Sequence, residues 1–301
     1  MKKRILAAVM ILTLAMGCML SGCKSKEKVD KLVIAVMTSE SNDGSVSNVY
    51  ADLGKCIEEK TGIPVEVYEV GSYEAGIEAL RTGKADMNLF SAFSYYLAKQ
   101  RADIEPLVSM SLGGNSDSGN TVIITQADSD INSVEDLRGH SFAFVDPAST
   151  SGHIAPKYFL MQEFGVTASE LETDIFSQVS FAGGHDSVAI GVANGQYEAG
   201  ACVKMLLDML IQSGMVTEDQ FKIIAETSLE GNSSAMVIRS AIPDDVKQGV
   251  KEALLEYDNS EFFQSFMNSP DARFCEVDQE GLDSIEEVAI ALDLSEEELL
   301  K

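Results

Sequence analysis

The chain has 301 residues, 45% of them apolar, which is enough for two core-sized units and excludes a disordered chain. Against 22 Lys and Arg stand 48 Asp and Glu, a formal charge of −26 that repels phosphate backbones and anionic headgroups, so no nucleic-acid partner is expected. Trp is absent, which removes the best cation–π platform and favours a small polar ligand over a stacked sugar or a quaternary ammonium.

Lys2, Lys3 and Arg4 precede an apolar run from Ile5 to Met16, a charged n-region followed by an h-region of signal-peptide length. Extended to Leu20 the run reaches about 16 residues, short of the roughly 20 that a spanning helix needs. The run ends in Leu20-Ser21-Gly22-Cys23, which resembles the bacterial lipobox; Ala15-Met16-Gly17-Cys18 competes less well because Met16 is bulky for the pattern. Residues 1–22 are thus expected to be a signal peptide, Cys23 to carry lipid, and residues 23–30 to form a polar tether. That makes the protein extracytoplasmic and attached to the cell membrane through its lipid alone. Losing Lys2, Lys3 and Arg4 takes the formal charge from −26 to −29. Cys56, Cys202 and Cys275 remain, unevenly spaced and odd in number, so they are expected to be buried small hydrophobes and not a disulfide framework or a zinc site.

Beyond the tether, short apolar runs alternate with amphipathic stretches. Strands are expected at Leu32–Val36, Val65–Val70 and Ala85–Phe90, with helices over Val46–Lys60 and Tyr73–Thr82 between them. A second series has strands at Thr121–Thr125, Ser141–Val145, Val179–Ala182, Ala199–Val203 and Phe221–Ala225, and helices over Ser151–Phe164 and Ser187–Asn194. The alternation predicts two α/β lobes with mostly parallel pairing. Polar, glycine-rich stretches at Gly113–Asn120 and Glu230–Ser234 read as two crossings between them. Lobe one then comprises residues 31–118 and 232–301, and lobe two residues 119–231. The tail from Pro243 has Glu, Leu and Lys at helical spacing, with an N-cap expected at Ser295, and reads as peripheral helices.

Two segments carry chemistry. In the first, a strand feeds a helix through Asp146-Pro147-Ala148-Ser149-Thr150-Ser151-Gly152. The first amides of a helix lack internal partners and its dipole makes that end positive, so Ser149, Thr150, Ser151 and the adjacent amides form a cradle for a tetrahedral oxyanion. Helix capping alone accounts for one of the three hydroxyls. In the second, Gly183 and Gly184 permit close backbone approach, and His185 at a helix start can donate to an anion. His140, His153 and His185 lack metal-ligand spacing, and no Walker, His-Glu-x-x-His or Gly-x-Ser-x-Gly pattern occurs, so neither a metal nor a cofactor is expected.

Three stretches together resemble the phosphonate/phosphite-type substrate-binding proteins of ABC transporters. They are Tyr73-x-x-x-Ile-x-Ala-Leu-Arg-x-Gly-Lys-x-Asp86, Asp146 to Gly152, and Gly184-His185 through Ala193-Asn194-Gly195-Gln196, within a resemblance running from Leu32 to Arg239. The resemblance implies a two-lobed, type II periplasmic-binding-protein-like α/β fold with two hinge crossings, closing over a tetrahedral oxyanion in the interlobe cleft. It places Ser149, Thr150, Ser151 and Gly152 with His185 on the anion's oxygens, and Tyr73 on the pocket wall. Phe90 stands where the family often has Tyr, keeping the wall without the hydroxyl, and Ser91 follows it into the site.

Aminoalkylphosphonate binders need carboxylates facing the ligand's ammonium. Here the corresponding positions hold Lys204, Met205, Ser233 and Ser234, which implies phosphate, phosphite or a small alkylphosphonate, with Lys204 near the anion or merely solvated. The expected protein is a monomeric lipoprotein without catalysis, delivering its ligand to a permease driven by a separate ATPase. One alternative keeps the fold and binds a sulfonate or a vitamin-precursor heterocycle among Tyr50, Tyr73, Phe90, Phe93, Tyr95 and Tyr96; another is a secreted hydrolase using Ser149 or Ser151 with His185 as base.

Overall fold

The computed structural model describes residues 29–37, 45–111, 120–229, 233–267 and 269–292. The signal peptide, Cys23, most of both polar crossings and Ser295 lie outside the described residues. The elements of lobe one are β1 (Leu32–Met37), α1 (Ser45–Thr61), β2 (Val65–Val70), α2 (Tyr73–Thr82), β3 (Met87–Ser91), α3 (Ala92–Arg101) and β4 (Ile104–Ser111). Lobe two follows with β5 (Thr121–Gln126), β6 (Ser141–Phe144), α4 (Ala155–Phe164), β7 (Gln178–Phe181), α5 (His185–Ala193), β8 (Ala199–Val203), α6 (Lys204–Ser213) and β9 (Phe221–Thr227). The chain then returns through β10 (Ser234–Arg239), α7 (Asp244–Glu256), α8 (Ser260–Met267), β11 (Arg273–Cys275) and α9 (Gln279–Ala291).

Two sheets organise these elements, in the orders β11-β4-β10-β3-β1-β2 and β7-β6-β8-β5-β9. The expected predominance of parallel pairing does not hold. β2, β1 and β3 are parallel, as are β7, β6 and β8, but β10 runs against both β3 and β4, β11 against β4, and β5 against both β8 and β9. The reason lies in the crossings: a strand that receives the chain from the other lobe must begin at the cleft, so β5 and β10 oppose neighbours that end there. The carboxyl ends of β1, β2, β3, β6, β7 and β8 therefore point into the cleft, where open α/β sheets place ligands. Sequence periodicity also passed over α3 and β4, which lie between Phe90 and the first crossing.

β1 is buried from Leu32 to Val36, as a strand covered on both faces must be. One buried cluster runs from Val33, Ile77 and Phe93 in lobe one to Ile123, Phe142 and Phe144 in lobe two, so apolar packing continues between the lobes beside the cleft. The Arg-x-Gly-Lys-x-Asp stretch is structural. Gly83 ends α2 in the left-handed region at φ 72° and lies against the Arg239 guanidinium. Asp86 accepts the Val33 amide at 3.0 Å and Arg239 Nη1 at 2.9 Å, and its carbonyl accepts the Arg239 amide at 2.9 Å. One carboxylate thus joins β1, the approach to β3, and β10. Of the three described cysteines, all free, only Cys202 is fully buried; Cys56 and Cys275 are half-buried, each directing its thiol at a backbone carbonyl. No helix among the described residues is long and apolar enough to cross a membrane.

Candidate functional site

The first loop of the site closes on its own strand. After β6, Val145 donates its amide to the Gly152 carbonyl at 3.0 Å, and a Cβ on Gly152 would stand 2.3 Å from Val145 Cγ2. Inside this loop the Asp146 side chain accepts the Ala148 amide at 2.8 Å while its carbonyl accepts that of Ser149 at 3.0 Å, a turn that aims the hydroxyl run outward. Burial raises the Asp146 carboxyl's pKa against the opposing Ala148 bond, and the Glu74 carboxylate adds to the rise. His153 Nδ1 donates to the Pro147 carbonyl at 2.9 Å, and the ring lies edge-on to Phe144 and Phe181 at 5.0 Å from each. Burial, with the nearby Lys157 charge, lowers the pKa of His153 to about 3, so the imidazole is neutral. Lys157 itself is buried and pairs with Glu172.

The helix after this loop opens one turn later than the sequence predicts as a regular α-helix. Residues Thr150–Ile154 form a wide turn in which Ile154 donates to the Ser149 carbonyl at 3.1 Å, and α4 starts only at Ala155. An α-helix joins residues four apart; joining residues five apart leaves one more leading amide without an intrahelical partner. Gly152 uses its amide on Ser149 Oγ at 3.0 Å. The amides of Thr150, Ser151 and His153 come before the first intrahelical donor. The three hydroxyls differ in their engagement. Ser149 caps the turn, Thr150 reaches lobe one, and Ser151 is half-buried with no side-chain hydrogen bond among the described residues, while its carbonyl accepts Thr121 Oγ1 at 2.7 Å.

The second loop lies alongside the first because β7 extends its parallel register past the strand end: Ala182 donates to the Phe144 carbonyl at 2.9 Å and Gly183 to that of Val145 at 2.7 Å. Gly184 caps α5 and His185 opens it. His185 Nδ1 accepts the Val203 amide from the end of β8 at 3.1 Å. An amide can only donate, so the neutral ring carries its proton on Nε2, and burial lowers the pKa of His185 to about 4. The residue is therefore a neutral donor with a fixed tautomer. A catalytic base for a serine hydroxyl would need an acceptor nitrogen, and Nδ1 is already engaged.

Lobe one presents Tyr73, Ser91 and the start of α3. Tyr73 opens α2 behind the Ser72 cap, is half-buried and faces Ser149 across the cleft; burial raises its phenol to about 12. Thr150 Oγ1 accepts the Phe93 amide at 2.8 Å and donates to Ser91 Oγ at 2.9 Å. Phe90 is 2% exposed, packed below this surface opposite Ala235. Lys204 begins α6 one residue after the Val203 amide that holds His185, and its ammonium pairs with Asp208 at 2.8 Å. The structure thus links Thr150 to Ser91 and Gly152 to Ser149 by hydrogen bonds, keeps Ser151 in the same turn, packs Tyr73 against the core cluster shared by the lobes, sets His185 at the adjoining helix start, and gives Phe90 and Lys204 other partners. Among the aromatics considered for a heterocycle, Tyr50 packs against Phe262 in the outer core of lobe one, and Phe90, Phe93 and Tyr95 are buried. Sequence reasoning missed the Phe93 amide, His153 and Asp146. A serine following a strand and preceding an apolar helix, as Ser91 does, was the available signal for the first.

The chain matches, over residues 34–282, the family described as "ABC transporter, phosphonate, periplasmic substrate-binding protein". It is 30% identical over 255 residues to the phosphate-import protein PhnD of Mycolicibacterium smegmatis, covering 83% of this chain and 77% of that protein. It is 23% identical over 262 residues to the phosphonates-binding periplasmic protein of Escherichia coli, covering 85% and 75%. Among solved structures, PhnD1 of Prochlorococcus marinus in complex with methylphosphonate superposes with a TM-score of 0.75 at 18% identity, covering 88% of this chain and 98% of that one. That likeness shows the two-lobed type II binding-protein fold.

Proposed function

Because the chain belongs to the family of periplasmic phosphonate substrate-binding components of ABC transporters, and so is not an enzyme, we propose that it captures a small tetrahedral oxyanion in its interlobe cleft and hands it to a permease. The ligand class is phosphate, phosphite or a short alkylphosphonate. The observation that carries this reading is the pairing of two loops at the carboxyl ends of β6 and β7, one with the unengaged Ser151 hydroxyl and leading amides, the other with the Nε2–H of neutral His185. Tyr73 walls the cleft from lobe one, and Gly152 keeps the loop's backbone close to Val145.

The charge of the mature chain does not forbid an anion. At physiological salt the screening length is about 8 Å, so distant surface carboxylates count for little inside the cleft. Hydrogen bonds to a charged group contribute about 1.5–3 kcal/mol each, and micromolar affinity needs about 8 kcal/mol, so five or six aligned donors suffice after losses. Pairing of Lys204 with Asp208 leaves the anion to hydroxyl, imidazole and amide donors.

Lobe one comprises residues 31–118 and 232–301 and lobe two residues 119–231; residues 1–22 are the export signal, and Cys23 carries the lipid that holds the monomeric protein near its permease and ATPase. Calorimetry on the mature chain tests the ligand reading. Methylphosphonate, phosphite or phosphate binds 1:1 without turnover, and His185→Ala weakens binding; tighter binding of 2-aminoethylphosphonate than of methylphosphonate and phosphite rejects the amine-free ligand class. Palmitate labelling lost in Cys23→Ala tests the anchor, and unchanged labelling rejects it.

A further inference from the structure

Lys204 follows the carboxyl end of β8, on the edge of lobe two that faces the cleft. Its backbone is fixed from both sides. The Lys204 amide donates to the Asn120 carbonyl at 2.9 Å, where the chain enters lobe two, and the preceding Val203 amide holds His185 Nδ1 at 3.1 Å. Through that bond the Lys204 Cα lies no more than about 8.4 Å from the imidazole nitrogen, a gap that a four-carbon stem and a two-carbon ligand can close together. Met205, next in the chain, packs against the outer core cluster of lobe one, so the start of α6 lies at the boundary between the lobes.

We propose that Lys204 is a specificity-determining residue that reads a second negative charge on the ligand, so that the favoured short alkylphosphonates carry a carboxylate one or two carbons from phosphorus. This rests on the oxyanion reading above, which seats the tetrahedral group beside His185; Lys204 adds the choice among substituents. The donors of that seat are uncharged, so they do not by themselves tell a charged substituent from a neutral one. A cation does. Lys204 also stands where a helix least favours one: the positive end of the dipole prefers acidic residues, yet the first turn of α6 holds none, and Val203 caps it without a side-chain bond. Its ammonium pairs with Asp208 one turn along the same helix at 2.8 Å, the two side chains being 39% and 38% exposed. A partly exposed pair within one helix contributes little, so Lys204 can exchange it at small cost for a bond to an anion held in the cleft. Hydrogen bonding to Asp208 raises the Lys204 pKa, and the Glu226 and Glu218 carboxylates add to the rise, so the group enters that exchange as a full cation. The same carboxylates set the threshold: a neutral substituent offers nothing to compete with Asp208, whereas a second carboxylate does.

Calorimetry on the mature protein compares phosphonoacetate with phosphonoacetamide, its uncharged near-isostere, each corrected for the ligand's own ionisation, with methylphosphonate as the reference. The wild type should bind phosphonoacetate about tenfold tighter than the amide, the gain of one charge-assisted bond less the pair it replaces. Lys204→Met, which keeps the stem and drops the charge, should bring that ratio to about one, while Lys204→Arg should retain the preference. Asp208→Asn releases the ammonium and should widen the ratio. In the wild type the ratio should also shrink as salt rises from about 0.05 M to about 1 M, because a partly exposed charge pair is screened. A wild type that binds methylphosphonate but shows no preference for the carboxylate overturns the proposal and leaves the oxyanion reading standing, as does a ratio that survives Lys204→Met. A salt-independent preference overturns it without recourse to any variant, so a Lys204→Met protein that lacks a cooperative melt does not shelter it. A wild type that binds none of the three compounds rejects the oxyanion reading, and the role of Lys204 falls with it.

Discussion

Gly152→Ala is the sharpest single perturbation of the site loop. The added Cβ would stand 2.3 Å from Cγ2 and 2.4 Å from Cβ of Val145, and 2.9 Å from Ser149 Oγ. Ordinary carbon contacts lie at about 3.5–4.0 Å, so one side must retreat by more than about 1 Å. Val145 cannot rotate away: it is fully buried, and its branched Cβ holds one strongly preferred rotamer. The Gly152 backbone must move instead, stretching the bond to the Val145 amide and the cap to Ser149. Overpacking costs about 1–3 kcal/mol and a lost cap about 1 kcal/mol, for a total of roughly 2–4 kcal/mol. In a chain of this size, with an unfolding entropy of roughly 0.6 kcal/mol/K, that lowers the melting temperature by about 3–7 °C. Urea denaturation gives the stability and calorimetry with methylphosphonate the affinity, which should fall as well because Ser151 moves with the backbone. Val145→Gly removes both contacting atoms, whereas Val145→Ala would leave the 2.4 Å contact to its Cβ, so Gly152→Ala should cost at least about 1 kcal/mol less in the Val145→Gly background than in wild type. A Gly152→Ala protein within about 0.5 kcal/mol of wild type and with unchanged affinity would refute the close-packed loop.

Asp86→Ala should cost about 3 kcal/mol by leaving Arg239 and the Val33 amide without the carboxylate that joins them, measured by urea denaturation; a loss under about 1 kcal/mol contradicts the three-strand clamp. His185 and His153 have folded pKa values lowered from 6.5 to about 4 and about 3. The unfolded chain therefore takes up their protons first, and stability should drain away as pH falls from 6.5 toward these values, with neither group contributing to the pH dependence above that window. Since neutral His185 donates through Nε2, methylphosphonate affinity corrected for the ligand's own ionisation should stay flat from about pH 8 to about pH 5; a rise of more than about tenfold on acidification would mean an imidazolium binds it. His153→Phe fills the same space without a donor for Pro147 and should weaken methylphosphonate binding by about fivefold, while His153→Asn, which can still donate there, should keep most of it. Equal losses in both variants argue against that hydrogen bond as the loop's support.

Much of the local geometry of the candidate site was readable because its loops follow local rules. A strand, an Asx-type turn, hydroxyls and a glycine before a helix constrain one another within a few residues, and Gly184-His185 announces a helix start in the same way. What distinguished the three hydroxyls was not readable, because it depends on Ser91 and Phe93, nearly 60 positions away from Thr150 in sequence. The same holds for His185, whose tautomer is set by a Val203 amide on a different strand. Strand direction escaped for a related reason. An alternating α/β pattern favours parallel pairs, and only the double passage between lobes turns β5 and β10 around. α3 was passed over because Ala92–Arg101 is buried along most of its length, which blurs the helical period that pattern reading relies on.

The Asp86–Arg239 clamp has a temporal corollary. A polypeptide emerging from its amino end presents every strand of the second sheet, residues 121–227, as one uninterrupted stretch, while the first sheet waits for β10 and β11. The middle of the molecule can consolidate first, leaving the earliest-made strands to linger half-assembled until Arg239 is delivered 153 positions after its carboxylate partner. Trapping nascent chains truncated just before and just after that arginine would catch the beginning of the protein in the act of being finished last.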